Sequence, residues 1–321
     1  MDVSEIVTAF KAYYEKSQAN KDRILGKLSQ GILTPQYCTP IKTDDTVFKL
    51  SELIIGDLVQ GFQKAWTPKD DIKFKPNELR LYHLKIDIDL FPDDIQATWL
   101  GFLSSGQLNK KDEPLIKFLI EHPDQGILAK INSNMELKEY GKGVYEAPTG
   151  GTAGITGKSM NGFIKQLQTG VDADTINYVS LGTLNKDSIF DQVELFVDGI
   201  SEEYQDVPMN VHMSPKWAKY YHRDKRAQGF YQISSDADVK NSIDFTPQNV
   251  VSLPCLSGTD VIFATPKVNM IHLTKNLQNK SSIKVEEYRR TVSLIADWWE
   301  GLGFGMDGVV WTNLAKTLVI P

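Results

Sequence analysis

No apolar run in this sequence approaches the roughly 20 residues that a membrane-spanning helix needs, and the opening residues MDVSEIVTAFKAYYEK lack the basic-then-apolar order of a secretory signal. The chain therefore reads as intracellular, soluble when made and without a membrane partner. Cysteine is nearly missing: Cys38 and Cys255 are the only two among 321 residues. They lie too far apart for a metal-ligand spacing, which excludes a disulfide framework and a zinc knuckle and leaves two buried structural thiols. The five histidines, His83, His122, His212, His222 and His272, show no H-x-x-x-H or H-E-x-x-H spacing, so no metal site is expected. A G-x-S-x-G elbow is also lacking. Basic residues are in deficit, 35 Lys and Arg against 41 Asp and Glu for a net charge of -6, so the chain cannot grip nucleic acid by releasing counterions along its whole surface.

Three stretches resemble ligand motifs. GGTAGITGKS, Gly150 to Ser159, ends like a phosphate-binding loop in Gly157, Lys158 and Ser159, but Thr152 stands where the opening glycine belongs. The segment before it, GKGVYEAP, is a poor central strand, so a glycine-rich loop or loose hairpin is expected. Gly303, Gly305 and Gly308 spell G-x-G-x-x-G, yet the order reads as helix, glycines, strand, the reverse of a dinucleotide site. Asp87, Asp89, Asp93 and Asp94 could hold a divalent cation in principle. A solvated strand face followed by a helix cap accounts for them better. No enzyme activity and no cofactor are expected.

The pattern of elements says more. Residues 1–30 carry Ile6, Phe10 and Tyr13 at helical spacing and form an arm, and a second short helix is expected after Ser51. TPKDDIKFKP leads into LRLYHLKIDIDL, whose alternating apolar and charged residues mark a half-buried strand. Together they suggest a charged hairpin going out through 68–76 and returning through 79–90. The helix IQATWLGFL follows, then a long helical region from Glu113 to Tyr140, divided by Pro123, with Ile127, Ile131 and Met135 in one stripe. Ser188 to Tyr204 reads as a helix with Ile189, Val193, Phe196, Val197 and Ile200 inward. VPMNVHMS is a strand and Ser214-Pro215 opens another helix. VVSLP, DVIFATP and NMIHL are strands, and Val285, Tyr288, Val292, Ile295 and Trp299 suggest a closing helix before the strand MDGVVW. The class is α+β.

This order of parts resembles a tailed-phage major capsid protein of the Hong Kong 97 type. The likeness rests on Thr67 to Leu90 as an extended E-loop, FPDDIQATWLGFL after it, Glu113 to Tyr140 as a spine helix, and the series IFDQVELFVDGISEEY, VPMNVHMSP, KWAKYYHRDKRAQGFY and LSGTDVIFATP. The ending YRRTVSLIADWWEGLGFGMDGVVW resembles the family's return to the peripheral domain. The resemblance implies an N-terminal arm at 1–45, a peripheral domain of spine helix plus sheet at 46–66, 91–160 and 283–321, an E-loop at 67–90 and an axial domain at 161–282. It implies self-assembly into hexamers and pentamers that enclose DNA without reading it, in a virion built in the bacterial cytoplasm. Portal, scaffolding and head-decoration proteins are possible partners on that reading, and Ile72, Phe74, Lys75 and Leu79 are the expected E-loop assembly residues. Two alternatives stay open: an encapsulin-like compartment of the same fold, and a nucleotide-dependent enzyme using Gly157, Lys158 and Ser159.

Overall fold

The computed structural model describes residues 32–54, 59–69, 73–91, 127–229, 241–276, 283–288 and 291–317. The expected helices at 1–30 and 95–103, Pro123 and the first part of the long helix lie outside them.

The first described strands are β1 (Thr39–Lys42), β2 (Val47–Ile54), β3 (Lys73–Arg80) and β4 (Tyr82–Leu90). The expected short helix after Ser51 is thus a strand. β2 and β3 form the outgoing hairpin, in antiparallel register from Val47 opposite Arg80 to Ile54 opposite Lys73. β4 does not return that hairpin. It pairs with a strand far along the chain, because its inward residues Tyr82 and Leu84 are buried in the body.

Helix α1 (Ile127–Asn134) is the described part of the expected long helix, and it runs into a π-helical turn, Met135–Glu139. Its buried face is rotated from the expected stripe. Leu128, Asn132, Met135, Glu136 and Glu139 point inward, whereas Ile127 and Ile131 are only half buried. Two carboxylates on a buried face defeat any apolar count, and each is accommodated by hydrogen bonds described below. After the glycine-rich segment come α2 (Phe163–Asp172), β5 (Asn177–Tyr178), α3 (Ile189–Asp198), β6 (Asn210–Met213) and α4 (Pro215–Ala227). The expected face of α3 is buried through Ile189, Val193, Phe196 and Val197, and Ile200 follows it into the core. Pro215 stands in the first turn of α4, where its missing N–H costs nothing.

The chain continues with β7 (Asn249–Ser252), β8 (Phe263–Thr265), β9 (Met270–Thr274), β10 (Ile283–Tyr288), β11 (Thr291–Phe304) and β12 (Trp311–Thr312). The expected closing helix is therefore two strands. Val292, Leu294, Ala296 and Trp298 alternate as well as Val285, Tyr288, Val292 and Ile295 step in threes and fours. β-branched and aromatic residues favour the pleated choice once a partner strand is available. β11 has several partners: β10 and β4 along its first part, and β9 from Glu300 to Phe304.

A second sheet in the order β5-β12-β8-β6-β7 forms a wall with a core on each face. Val211, Met213, Ile262, Ala264 and Trp311 point to the side of α3 and α4, while Phe263 and Val310 point to the side of α2, β9 and β11. Strands buried on both faces read as continuous apolar runs, as DVIFATP does. His212 lies on the second side with its ring 4.8 Å from Phe263 and 6.0 Å from Tyr37, fully buried, and neither ring nitrogen has a hydrogen-bond partner. Burial alone lowers its pKa from 6.5 to about 3. The unfolded chain therefore takes up a proton below pH 6.5 that the folded chain refuses, and stability drains as pH falls from there towards 3. His212→Phe removes this uptake. The variant's melting temperature relative to the parent is expected to rise between pH 7.5 and pH 5, and parallel curves across that range would show that His212 does not titrate in this way.

Glu300 is the opposite case. Its buried carboxylate accepts hydrogen bonds from Tyr140 Oη at 2.6 Å and Trp298 Nε1 at 3.0 Å, and it pairs with His272 Nε2 at 2.6 Å. Burial pushes its pKa up, but the bonds from His272, Tyr140 and Trp298 overrule it and hold the carboxyl below its usual 4.5. A depressed carboxylate stabilises the fold above its unfolded pKa, and that contribution is lost as pH falls through the folded value. Glu300→Gln is expected to lose about 2 kcal/mol at pH 7, with the gap to the parent narrowing as the pH falls below 4.5 in denaturant titrations.

Candidate assembly surface

The glycine-rich segment is a loop, as expected, and its two ends are tied together. Val144 N–H donates to Gly157 O and Glu146 N–H to Lys158 O, so two short stretches lie side by side. Where a phosphate would sit, the amides of Gly157 and Ser159 instead donate to the Glu139 carboxylate, at 2.7 and 3.3 Å. Lys158 is paired with Glu146 at 2.7 Å. The amides that open α2 are taken too, Phe163 by Tyr140 O and Ile164 by Gly141 O. A Cβ at Gly141 would stand 2.0 Å from the Cys255 carbonyl oxygen, and at Gly162 2.5 Å from that of Glu139, which is why glycine is needed there. The loop is an anion nest filled by the chain's own side chain.

The second glycine motif is explained by close packing. Gly303 ends a strand, and after Gly305 comes one 3-10 turn, Asp307–Val309, before β12, so no helix opens towards a pyrophosphate. A Cβ at Gly301 would lie 2.4 Å from Arg80 O, and at Gly303 2.3 Å from Leu79 Cδ2, where the base of the β2–β3 hairpin crosses β11. Asp87 pairs with Lys85 at 2.6 Å and Asp89 accepts from Ser293 at 2.6 Å, both in solvent. Asp93 and Asp94 are outside the described residues, and among the described residues no cluster suits a metal. Cys38 and Cys255 are buried free thiols, and burial pushes the pKa of Cys255 up to about 12, so neither is poised for chemistry.

The surface that stands out is the hairpin. Its base is held by Phe48, Leu50, Leu79 and Leu81 packed with Ile271 and Leu273. Leu79, expected to meet a neighbour, is thus occupied inside its own subunit. Phe74, two pairs from the hairpin's far end, is 72% exposed. Lys75 lies beside it on β3, and Ile72 is outside the described residues. Beyond the ladder, residues 59–69 fold back on themselves: Lys69 Nζ donates to Val59 O at 2.9 Å, Gln60 Nε2 to Thr67 O at 2.8 Å, and Gln63 to the Thr67 hydroxyl. These bonds present Phe62 and Trp66 to solvent at 96% and 92% exposure. The sequence reading missed both, although two aromatics four residues apart in the polar run QGFQKAWTPK were the available signal.

No family model and no curated protein matches the chain. Solved structures do. The satellite phage P4 procapsid including the size determination (Sid) protein matches at TM-score 0.57 and 12% identity over 91% of this chain and 89% of that one. The capsid of an empty GTA particle matches at 0.51 and 11% over 90% and 91%. Mycobacterium phage Ogopogo matches at 0.50 and 11% over 87% and 90%. The chain therefore has the fold of tailed-phage capsid proteins, an α+β fold of the Hong Kong 97 type.

Isothermal titration with ATP and magnesium is expected to give no heat for the parent or for Lys158→Ala, since the cradle is filled. Glu139→Ala, which leaves two amides without their acceptor, is expected to cost about 2 kcal/mol in denaturant unfolding.

Proposed function

We propose that this chain is the shell-forming protein of a tailed-phage or prophage head, a structural protein and not an enzyme. The observation that carries the reading is the β2–β3 hairpin. Residues 59–69, between its two strands, are tied into shape by their own hydrogen bonds yet show Val59, Phe62 and Trp66 at 90% exposure or more. An isolated hairpin is marginal by itself, and such a cluster of large apolar side chains marks an interaction site. On this reading 47–80, in place of 67–90, is the E-loop, and Phe74, Phe62 and Trp66 lie on a neighbouring subunit. The wall sheet with α3 and α4, within 161–282 apart from β12, is the axial domain. The spine helix with the β4–β11 sheet is the peripheral domain, and residues up to 45 are the arm.

Closed shells of one chain use hexamers and pentamers, since identical surfaces repeated about rotation axes make a finite object. The enclosed DNA would be held without sequence contacts, and assembly would take place in the bacterial cytoplasm before the protein resides in the virion. Portal, scaffolding and head-decoration proteins would be its further partners. A compartment of the same fold would differ in contents, so a purified shell containing an enzyme cargo instead of DNA would move the reading there.

The double variant Phe62→Ser/Trp66→Ser separates assembly from folding. Neither residue touches the core, so the melting temperature is expected to stay within a few degrees of the parent, while closed shells vanish from negative-stain micrographs. Shells of normal yield from the variant would refute the assignment of this hairpin.

A further inference from the structure

The body around the wall sheet carries charge of opposite sign on two adjoining helices. From Asp187 to Asp206 there are seven carboxylates and no Lys or Arg. On α3 the exposed face is Asp191, Leu195 and Asp198, spaced four and three, and it continues into Glu202, Glu203 and Asp206. From Lys216 to Arg226 there are five basic residues and one acid. The acid, Asp224, is buried and accepts the Phe190 amide at 2.9 Å, and Lys225 is buried against Asp244 at 2.8 Å. That leaves Lys216, Lys219, Arg223 and Arg226 exposed at spacings of three, four and three, one straight stripe along α4. Among the described residues none of these four is paired with a carboxylate, and Lys216 rests instead over the Trp217 ring at 4.8 Å.

Four like charges over about 15 Å of helix sit within or near a Debye length of one another, so the stripe is self-repelling until an anion covers it. We propose that its occupant is the acidic face of α3 on a second copy of this chain, the two meeting head to tail around a capsomer. The inference rests on the shell-forming reading. A ring built from one chain needs two different surfaces of that chain to complement each other, and here both halves are present with matched helical spacing and Leu195, 53% exposed, in the middle of the acidic half. A DNA duplex is the other polyanion that could cover the stripe, and the test separates the two.

The test uses full-length protein under conditions where the parent forms capsomers or shells. Lys219→Glu/Arg223→Glu and Asp198→Lys/Glu202→Lys each alter only exposed residues, so both should melt like the parent. Each alone is expected to need at least about tenfold more protein for half-assembly, and a chain carrying all four changes to recover. A mixture of the two reversed variants can only alternate, so native mass spectrometry should find even-numbered rings and no five-membered ones. Parent-like assembly of either variant, failure of the fourfold variant to recover, or pentamers from the mixture would overturn the proposal. So would a Lys219→Glu/Arg223→Glu shell that forms normally but has lost its DNA, which would assign the stripe to nucleic acid. If the parent itself never assembles, the shell-forming reading falls. If it assembles and charge reversal changes nothing, only the ring contact falls.

Discussion

Buried carboxylates surround the end of the long helix that finishes at Tyr140, and satisfying them ties the entry to β1, the glycine-rich loop and strands β9 and β11 to it. An unpaired buried charge costs several kcal/mol, so each one fixes whatever donates to it. Glu136 accepts the amides of Leu33 and Thr34, both at 3.2 Å, and the Thr34 hydroxyl, which pins the chain entering β1. One turn on, Glu139 gathers the glycine loop. At the next position Tyr140 reaches Glu300, which also binds His272 and so joins the helix to β9 and β11. The π-helical turn, in which Tyr140 N–H bonds back to Met135 O at 2.9 Å, is the local distortion that accompanies three successive inward anchors.

Glu300 also stands where β11 changes partners. It lies opposite Tyr82 of β4 on one side and Thr274 of β9 on the other. A strand that serves two neighbours needs its register fixed, because a slip of one residue would turn every side chain to the wrong face. The carboxylate supplies that fix, since any slip would bury it away from His272, Tyr140 and Trp298. The adjacent glycines let the hairpin base approach, so the β2–β3 ribbon is set by the same few residues that lock the β9–β11 sheet.

Much of this was legible in the sequence wherever one partner decides an element. α3 and α4 bury one face each, β6 and β8 are apolar runs buried on both faces, and these patterns and the Ser214-Pro215 start read correctly. Patterns failed where a distant strand chose the conformation. Residues 291–299 satisfy both helical and alternating periods, and only pairing with β4 selects the strand. Val47 to Ile54 is a strand because 73–80 lies beside it, and shifting the hairpin to 68–90 followed from not knowing that β4 belongs to β11. The buried face of α1 was misread because Glu136 and Glu139 count as polar in any stripe, while their donors lie about a hundred residues upstream and some twenty residues downstream. Phe62 and Trp66 were overlooked for the converse reason: isolated aromatics in a polar run carry no period.

What separates the hairpin from the body is where its apolar residues fall. Phe48, Leu50, Leu79 and Leu81 are spent at the base, on contacts with β9. The hairpin's cross-strand ion pair, Lys49 with Glu78 at 3.4 Å, is in solvent and contributes little. Farther out, Phe74, Phe62 and Trp66 face solvent. Burying three such residues on another surface is worth several kcal/mol at about 25 cal/mol per Å². On the shell-forming reading, these exposed side chains are the contacts that a neighbouring subunit would supply.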